Sequence, residues 1–436
     1  MSAPAAVISG ADTGWVFVST ALVLLMVPGL ALFYGGLVRA RAAVNTFMMS
    51  IAALAVVSVQ WVLVGYSLAF SPGGIVGGHA WFGLLGVGAA PGPYSPTIPH
   101  LAFVAFQAMF AGITVALVSG AVVERIRFHL YLVFALLWTT LVYDPLAHWV
   151  WGTDGWLHKL GALDFAGGTV VHISAGTAAL VAAIILGRRS GLGRRPLIPH
   201  NVPYTLLGAG LLWVGWLGFN AGSALAADGV AAVALVNTHA AAAAALVAWV
   251  VIELLRSRQA TAVGAATGAV VGLVAITPAA GYVTPLSALA IGVLAAGASY
   301  VAMNLRARTK IDDALDVFAC HGIAGITGAL LTGVFATKAV NAAGADGLLF
   351  GNARLLGVQA LAVLCTIVLS GAVTGLVLWG LGALASLRLP LHEELTGVDL
   401  SQHGEQAYHD DGSAEVAALG GRIDDAVILS GRSEAA

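Results

Sequence analysis

The chain has 436 residues, of which 59% are hydrophobic and only 9% charged. A soluble globular chain carries about 25% charged residues, so the composition excludes a soluble fold and implies a polytopic membrane protein, as does the mean hydropathy of +0.92. The formal net charge of −2 comes without a basic stripe, which leaves no electrostatic footprint for nucleic acid.

A helical span needs about 20 mostly apolar residues. Eleven such runs follow one another at about 13–36, 44–68, 99–123, 128–149, 169–187, 203–222, 230–254, 260–278, 282–303, 316–337 and 355–386. The fold class they predict is an all-α polytopic membrane protein with eleven transmembrane helices. No Lys or Arg precedes the first run, so it lacks the charged start of a signal peptide and reads as a retained span. Many spans are rich in Gly and Ala, which suits close helix packing in lipid. The last is long enough to tilt or break. Cys320 and Cys365 lie in apolar runs far apart, as packing thiols do, and no disulfide framework is indicated.

The basic residues test this count independently. Every odd-numbered span exits into a basic segment: Arg39 and Arg41, then Arg125 and Arg127, then Arg188, Arg189, Arg194 and Arg195, then Arg256 and Arg258, then Arg306, Arg308 and Lys310, and last Arg388. The opposite side holds only Lys159, Lys338 and Arg354, so the count is fourteen against three. The positive-inside rule then places the N-terminus outside and the C-terminus in the cytoplasm. Residues 387–436 form a cytoplasmic tail with ten of the 21 acidic residues. Its first part, Arg388 to Tyr408, has enough apolar residues to dock. Beyond Tyr408 the composition is that of mobile chain.

Within span five, residues 164–176 read DFAGGTVVHISAG, which places His172 in hydrocarbon. An ionisable group there marks a functional site by default. Gly168, His172 and Gly176 share one helix face, and the glycines are expected to leave room around the imidazole. Residues 313–325, DALDVFACHGIAG, repeat the pattern around His321 in span ten. Each histidine follows an aspartate by eight residues and precedes x-x-Ala-Gly. Five spans apart, the two copies run in opposite membrane directions. That is the signature of two inverted five-helix repeats, about 13–189 and 203–337, followed by a long eleventh helix. The transmembrane unit is then 1–386.

Facing imidazoles can share one proton, but two charged rings in an apolar lumen would be prohibitive. A metal centre would need carboxylates or further histidines at helical spacing, and neither histidine has a carboxylate three or four residues away. No metal and no cofactor is therefore expected. Asp164 either stabilises a cation through space or caps the start of span five, and its place just before FAGGTVV favours the cap. Asp313 stands in the same relation to span ten, with Asp312 beside it. Glu124 and Arg125 read as salt-bridge partners in a loop. Phe106 and Phe110 share a face of span three, Phe219 and Ser223 share a face of span six, and Trp151 sits just past the end of span four. Taken singly, each aromatic would be ordinary core packing.

An ordered set of motifs adds to this reading: PGLALFYGG at 28–36, GAVVERIRF at 120–128, AHWVWG at 147–152, DFAGGTVVHISAG at 164–176, GFNAGS at 218–223, ITPAAGYV at 276–283, DVFACHGIAG at 316–325 and GVDLSQHGEQAY at 397–408. Together they resemble the ammonium transporter family (Amt/Mep, with the Rh proteins as distant relatives), over nearly all of residues 10–408. The resemblance implies a homotrimer in the cell inner (plasma) membrane, surrounded by lipid, with one narrow pore per protomer. His172 and His321 would be its mid-pore pair. Trp151, Phe110 and Ser223 resemble an outer recruitment site for ammonium and its analogue methylammonium. Phe106 with Phe219 resembles a stacked gate. Gly397, Asp399, His403, Gly404, Glu405 and Tyr408 fall in the regulatory tail, which implies a PII-type signal protein as cytoplasmic partner. Val398 stands where the family usually has leucine, and Leu391–His392 interrupts its usual acidic run. A sensor that signals through its tail and an Rh-like gas channel remain alternatives, although the 436 residues carry no appended kinase or cyclase pattern. An enzyme is not expected, because no nucleophile elbow or cofactor motif is present.

Overall fold

The computed structural model describes residues 7–193 and 197–408. Expectations placed on Arg194, Arg195 and the chain beyond Tyr408 fall outside the described residues.

Among the described residues, ten helices are long and apolar enough to cross a membrane, and an eleventh, shorter apolar helix stands where span eight was expected. In chain order they are α1 (Gly10–Leu37), α2 (Ala40–Phe70), α3 (His100–Val122), α4 (128–151), α5 (Gly168–Leu186), α6 (Val202–Ala221), α7 (Gly229–Ser257), α8 (Ala262–Ile276), α9 (Pro285–Ala307), α10 (Phe318–Phe335) and α11 (Ala353–Leu384). Their starts follow from local chemistry. Ser9, Asn201, Asp228, Thr261 and Thr284 each accept a hydrogen bond from an amide in the first turn of α1, α6, α7, α8 and α9, and α6 and α9 open with proline inside that turn.

The short helix α8 has 15 residues, about 22 Å at 1.5 Å per residue, against a hydrocarbon core of about 30 Å. It tolerates the deficit because Gly264 to Ile276 is almost wholly buried among α6, α7 and α9. The last helix, α11, runs unbroken for 32 residues. The most extensive helix pairing joins α1 to α6. A Cβ on Gly208 of α6 would lie 2.3 Å from the Phe33 amide nitrogen of α1, so only glycine permits that approach. The helices α5 and α10 pack closely against one another. Both begin with a π-helical turn, Gly168–Ile173 and Phe318–Ile323, and each turn carries its histidine. Such turns are frequent at functional sites.

Outside the bundle, a small hairpin pairs β1 (Pro91–Gly92) with β2 (Ser95–Pro99), and a one-turn helix covers Trp156–Leu160. The first part of the tail docks as expected through two short helices, α12 (Leu391–Thr396) and α13 (Val398–His403). Glu394 takes Arg388 at 2.5 Å and the Ser190 amide at 3.1 Å. Asp399 accepts the Val44 and Asn45 amides at 3.0 and 2.8 Å, which satisfies donors near the start of α2 that have no helical partner. His403 reaches Asn45 at 3.0 Å and meets the Phe128 ring edge-on, while the Tyr408 hydroxyl sits 3.0 Å from His200. Gly397 has φ +121° and packs on Arg41, and Gly404 ends α13 at φ +68°. Glu405 is exposed.

Candidate functional site

Two of the predicted groups meet at the centre of the bundle. His172 Nδ1 lies 3.3 Å from His321 Nδ1, and their rings are nearly parallel. A narrow lumen of about 10 Å³ runs along them, which is the room one water-sized molecule needs. Its walls include Leu30, Ile113, Leu117 and Val171, so it is apolar apart from the imidazoles and the Trp216 indole. His172 Nε2 has no hydrogen-bond partner in the protein.

The glycines of the histidine motifs do not clear space for the ring, contrary to expectation. A Cβ on Gly176 would fall 2.3 Å from the Gly322 amide nitrogen, and one on Gly168 would fall 2.5 Å from Pro278. Gly176 therefore lets α5 and α10 cross backbone to backbone. That close crossing brings the two imidazoles together.

A file of rings leads from the lumen to one face of the bundle. His172 stacks on Trp216 at 5.3 Å and on Phe219 at 6.0 Å. Phe219 in turn stacks on Phe110, with centroids 4.1 Å apart. This corrects the expected pairing of Phe106 with Phe219. Phe106 instead meets Phe110 in an edge contact at 4.9 Å, because it sits one turn earlier in α3 on the same face. Phe110 and Phe219 are both fully buried, so the stack closes the passage.

Beyond the stack opens a vestibule of about 710 Å³, lined in part by Phe110, Trp151, Asp164 and Ser223. Trp151 stands edge-on to Phe110 at 6.2 Å, and its indole N–H donates to the Asp164 carbonyl at 2.9 Å. The Ser223 hydroxyl donates to the Phe219 carbonyl at 2.9 Å, which leaves its oxygen lone pairs free to accept. Asp164 is a cap. Its carboxylate accepts the amides of Gly167, Gly168, Thr169 and Val170 at 2.6–3.3 Å, together with the Thr169 hydroxyl.

On the other face, a cavity of about 160 Å³ reaches His321 past Asp316 and Cys320. Asp313 accepts the Phe318 amide at 2.7 Å. Burial, reinforced by the neighbouring Asp316 carboxylate, pushes its pKa up to about 6. Glu124 is a salt-bridge residue as expected, whereas Arg125 is held by backbone carbonyls instead. Glu124 pairs with Arg39 at 2.7 Å and Arg189 at 3.5 Å, and Arg125 donates to the Asp312 carbonyl at 2.6 Å. Burial alone would raise Glu124, but Arg189 and Arg39 outweigh it and hold the carboxyl below its ordinary range. Asp312 behaves alike, with burial overcome by its hydrogen bonds to Arg189.

Three buried groups escaped the sequence reading. Trp216 lies three residues before Phe219 and so shares its helix face, a signal the spacing contained. Asp144 is a carboxylate inside span four and should have drawn attention for that reason alone. It accepts a hydrogen bond from Gln60 of α2 at 2.6 Å. Gln359 of α11 clamps the segment before Asp164, accepting from the Leu163 amide and donating to its carbonyl, both at 2.8 Å. A lone glutamine in a span gave no comparable signal.

Fold and site together define a polytopic α-helical membrane protein with a narrow, histidine-lined lumen behind an aromatic vestibule. Residues 14–408 match the Ammonium Transporter Family, and the chain belongs to it. It is 50% identical over 401 residues to the ammonium transporter of Bacillus subtilis (strain 168), covering 92% of this chain and 98% of that one. It is 44% identical to ammonium transporter Amt1 of Archaeoglobus fulgidus over 402 residues, 92% of this chain and 100% of that one. Among solved structures, Saccharomyces cerevisiae Mep2 superimposes with a TM-score of 0.83 at 39% identity, covering 89% of this chain and 91% of that one. A sensor Amt protein gives 0.83 at 30% identity, covering 90% and 98%.

Proposed function

We propose that this chain transports ammonium, conducting it as ammonia past His172 and His321. The observation that carries the reading is the pair of facing imidazoles, Nδ1 to Nδ1 at 3.3 Å, in a lumen with room for one small molecule. Ammonium collects in the vestibule, where the Trp151 and Phe110 rings offer about 0.5–2 kcal/mol of cation–π attraction and Ser223 accepts an N–H bond. Potassium has a similar size but nothing to donate, so directional acceptors discriminate against it. Passage of the bare ion would cost several kcal/mol of desolvation. Transfer of one proton from ammonium to water in the open vestibule leaves neutral ammonia and avoids that cost, because desolvation lowers the pKa of an ammonium group. Ammonia then passes the Phe110–Phe219 stack when the rings swing aside, and the imidazoles accept its hydrogen bonds or relay the proton.

In this reading the two halves are inverted repeats. The N-terminus lies outside and the C-terminus in the cytoplasm, within the plasma membrane. Residues 1–386 form the transmembrane unit and 387–436 the tail. The protein works as a homotrimer, and the docked segment through Tyr408 offers a PII-type protein its cytoplasmic contact. The test is ammonium-evoked and methylammonium-evoked current in proteoliposomes across a range of pH. Joint replacement His172→Ala and His321→Ala is expected to abolish or strongly change the current, and an unchanged current would sink the histidine role. The likeness to a sensor Amt protein supports a second reading, in which the chain binds ammonium and signals through its tail. Saturable ammonium binding without current would favour it.

A further inference from the structure

We infer that Asp144 stands in the membrane as a neutral carboxylic acid, and that its bond to Gln60 positions Trp151 at the vestibule. The second half of the inference rests on the recruitment reading of the vestibule; the first half does not. Pro145 has no amide to give a carbonyl of the preceding turn, and α4 widens into a π-helical turn, Thr139–Tyr143, immediately before Asp144. A second π-helical turn, Trp61–Gly65, follows Gln60 directly in α2. Such turns are frequent at functional sites. At their edges the two side chains meet. Gln60 Nε2 donates to Asp144 Oδ2 at 2.6 Å and to Thr140 Oγ1 at 3.1 Å.

Asp144 is fully buried, and its Oδ1 has no hydrogen-bond partner. Among the described residues it enters no ion pair. The titratable groups on the elements packed around it are engaged elsewhere. Tyr66 of α2 meets His100 of α3, His172 of α5 meets His321, and His148 of α4 itself meets the Ala69 carbonyl. On the one-turn helix, Lys159 pairs with Asp154 and His158 lines the vestibule. The Tyr143 hydroxyl has no partner, and α11 carries no charged residue after Arg354. A carboxylate held here by one neutral amide would be an uncompensated buried charge. A proton removes that charge and leaves Oδ2 as the carbonyl acceptor for Gln60. Asp144 Oδ1 and Gln60 Oε1 both lack a donor, so the pair is short of donors rather than acceptors.

The bond is the first of three that tie the vestibule half of α4 to α2 and the segment after it. The others run from the His148 Nδ1–H to the Ala69 carbonyl at 3.2 Å and from the Trp149 indole N–H to the Ile75 carbonyl at 2.6 Å. Trp151 ends that half-helix, about two turns beyond Asp144.

The first experiment is infrared difference spectroscopy of the full chain in lipid vesicles, wild type minus Asp144→Asn, at neutral pH. The carbonyl band of a protonated carboxyl should be present in wild type and missing from the variant. Loss of carboxylate bands alone would overturn the neutral acid. The second experiment is ammonium-evoked current in proteoliposomes. Asp144→Asn keeps an uncharged carbonyl acceptor for Gln60, so half-saturation and maximal current should stay within about twofold of wild type. A rise in half-saturation of about tenfold would show a carboxylate acting on the cation through its charge, and would also overturn the neutral acid. Asp144→Leu removes the tie. It should raise the half-saturation about fivefold, the value of one lost cation–π contact, with the maximal current within about twofold of wild type because uniform binding is lost. Adding Trp151→Leu should raise it no further, and full additivity would overturn the positioning role. Gln60→Leu removes the same bond from the other side and decides the matter should Asp144→Leu fail to insert. If Trp151→Leu raises the half-saturation while the leucine variants at Asp144 and Gln60 leave it unchanged, the positioning role is overturned and the vestibule reading stands. If Trp151→Leu is itself without effect, the recruitment reading and the positioning role fall together, and the infrared result alone decides the neutral acid.

Discussion

The starts of α5 and α10 carry the same sequence pattern and solve different problems. Asp164 gives its carboxylate to four backbone amides and the Thr169 hydroxyl. Asp313 accepts the Phe318 amide at 2.7 Å, and its Oδ1 has no partner. The segment beside it is also less relaxed. Asp316 sits at φ +55°, a left-handed conformation unfavourable for a side-chain-bearing residue, and is held there by Arg306 at 2.8 Å. The glycine four residues after each histidine differs too. A Cβ on Gly176 would fall 2.3 Å from the Gly322 amide nitrogen, whereas one on Gly325 would meet Ile173 at 3.0 Å, the Gly168 carbonyl oxygen at 3.1 Å and the His172 Cβ at 3.2 Å. A shared motif therefore accompanies both histidines, while the segments that lead into the two helices differ in how the aspartate is satisfied and in backbone conformation.

Removing the two caps breaks this comparison most severely. Asp164→Ala leaves a set of buried amides without an acceptor, each worth about 1–3 kcal/mol when orphaned. The detergent-solubilised variant should elute aggregated in size-exclusion chromatography or melt far below wild type. Asp313→Ala loses far less, about the 0.5–2 kcal/mol of a single cap, and should remain folded. Equal loss of folded protein in the two variants would show that the caps are equivalent after all. The glycines give the next largest contrast. Gly176→Ala must push α5 away from α10, because backbone cannot yield as a side chain does, and the current should be lost with the histidine contact. Gly325→Ala asks Ile173, the Gly168 carbonyl and His172 to give by only a few tenths of an ångström, an overpacking cost of about 1–3 kcal/mol. It should keep a measurable current. A Gly176→Ala protein with wild-type current would remove the close crossing as the reason for that glycine.

The same contrast marks where sequence reasoning stops. A histidine inside an apolar run is visible because charge in hydrocarbon has no bland explanation, and its repetition on a second span exposed the pair. The run boundaries were legible for the same reason, since lipid demands length and apolarity. Which phenylalanine stacks on Phe219 was not legible. Phe106 and Phe110 occupy one face of α3, and only the depth at which α6 crosses it selects Phe110. Nor was the purpose of Gly176, because a glycine leaves the same trace whether it makes room for a ring or for another backbone. The hairpin at 91–99 went unread because its strands hold two and five residues amid Gly and Pro, too short for an alternating pattern.

Titration sharpens the comparison with the smallest effect. The folded state holds the Asp313 carboxyl at about 6, against an unperturbed value of about 3.9. The native protein thus binds this proton more tightly than the unfolded chain does. Its contribution to stability is present at low pH and is lost as pH rises from about 4 through about 6. Glu124 and Asp312 have the opposite sign. Arginine partners hold both below their ordinary range, so their contribution is present above it and lost as pH falls through their folded values. The slopes oppose one another in the wild type and can be separated by substitution. Asp313→Asn removes the titrating group while keeping an acceptor for the Phe318 amide. The melting temperature of this variant minus that of wild type should rise between about pH 4 and pH 6 and level off above it. A difference that does not change with pH would mean that Asp313 is as well satisfied as Asp164, and the asymmetry between the two ends of the passage would then rest on the glycines alone.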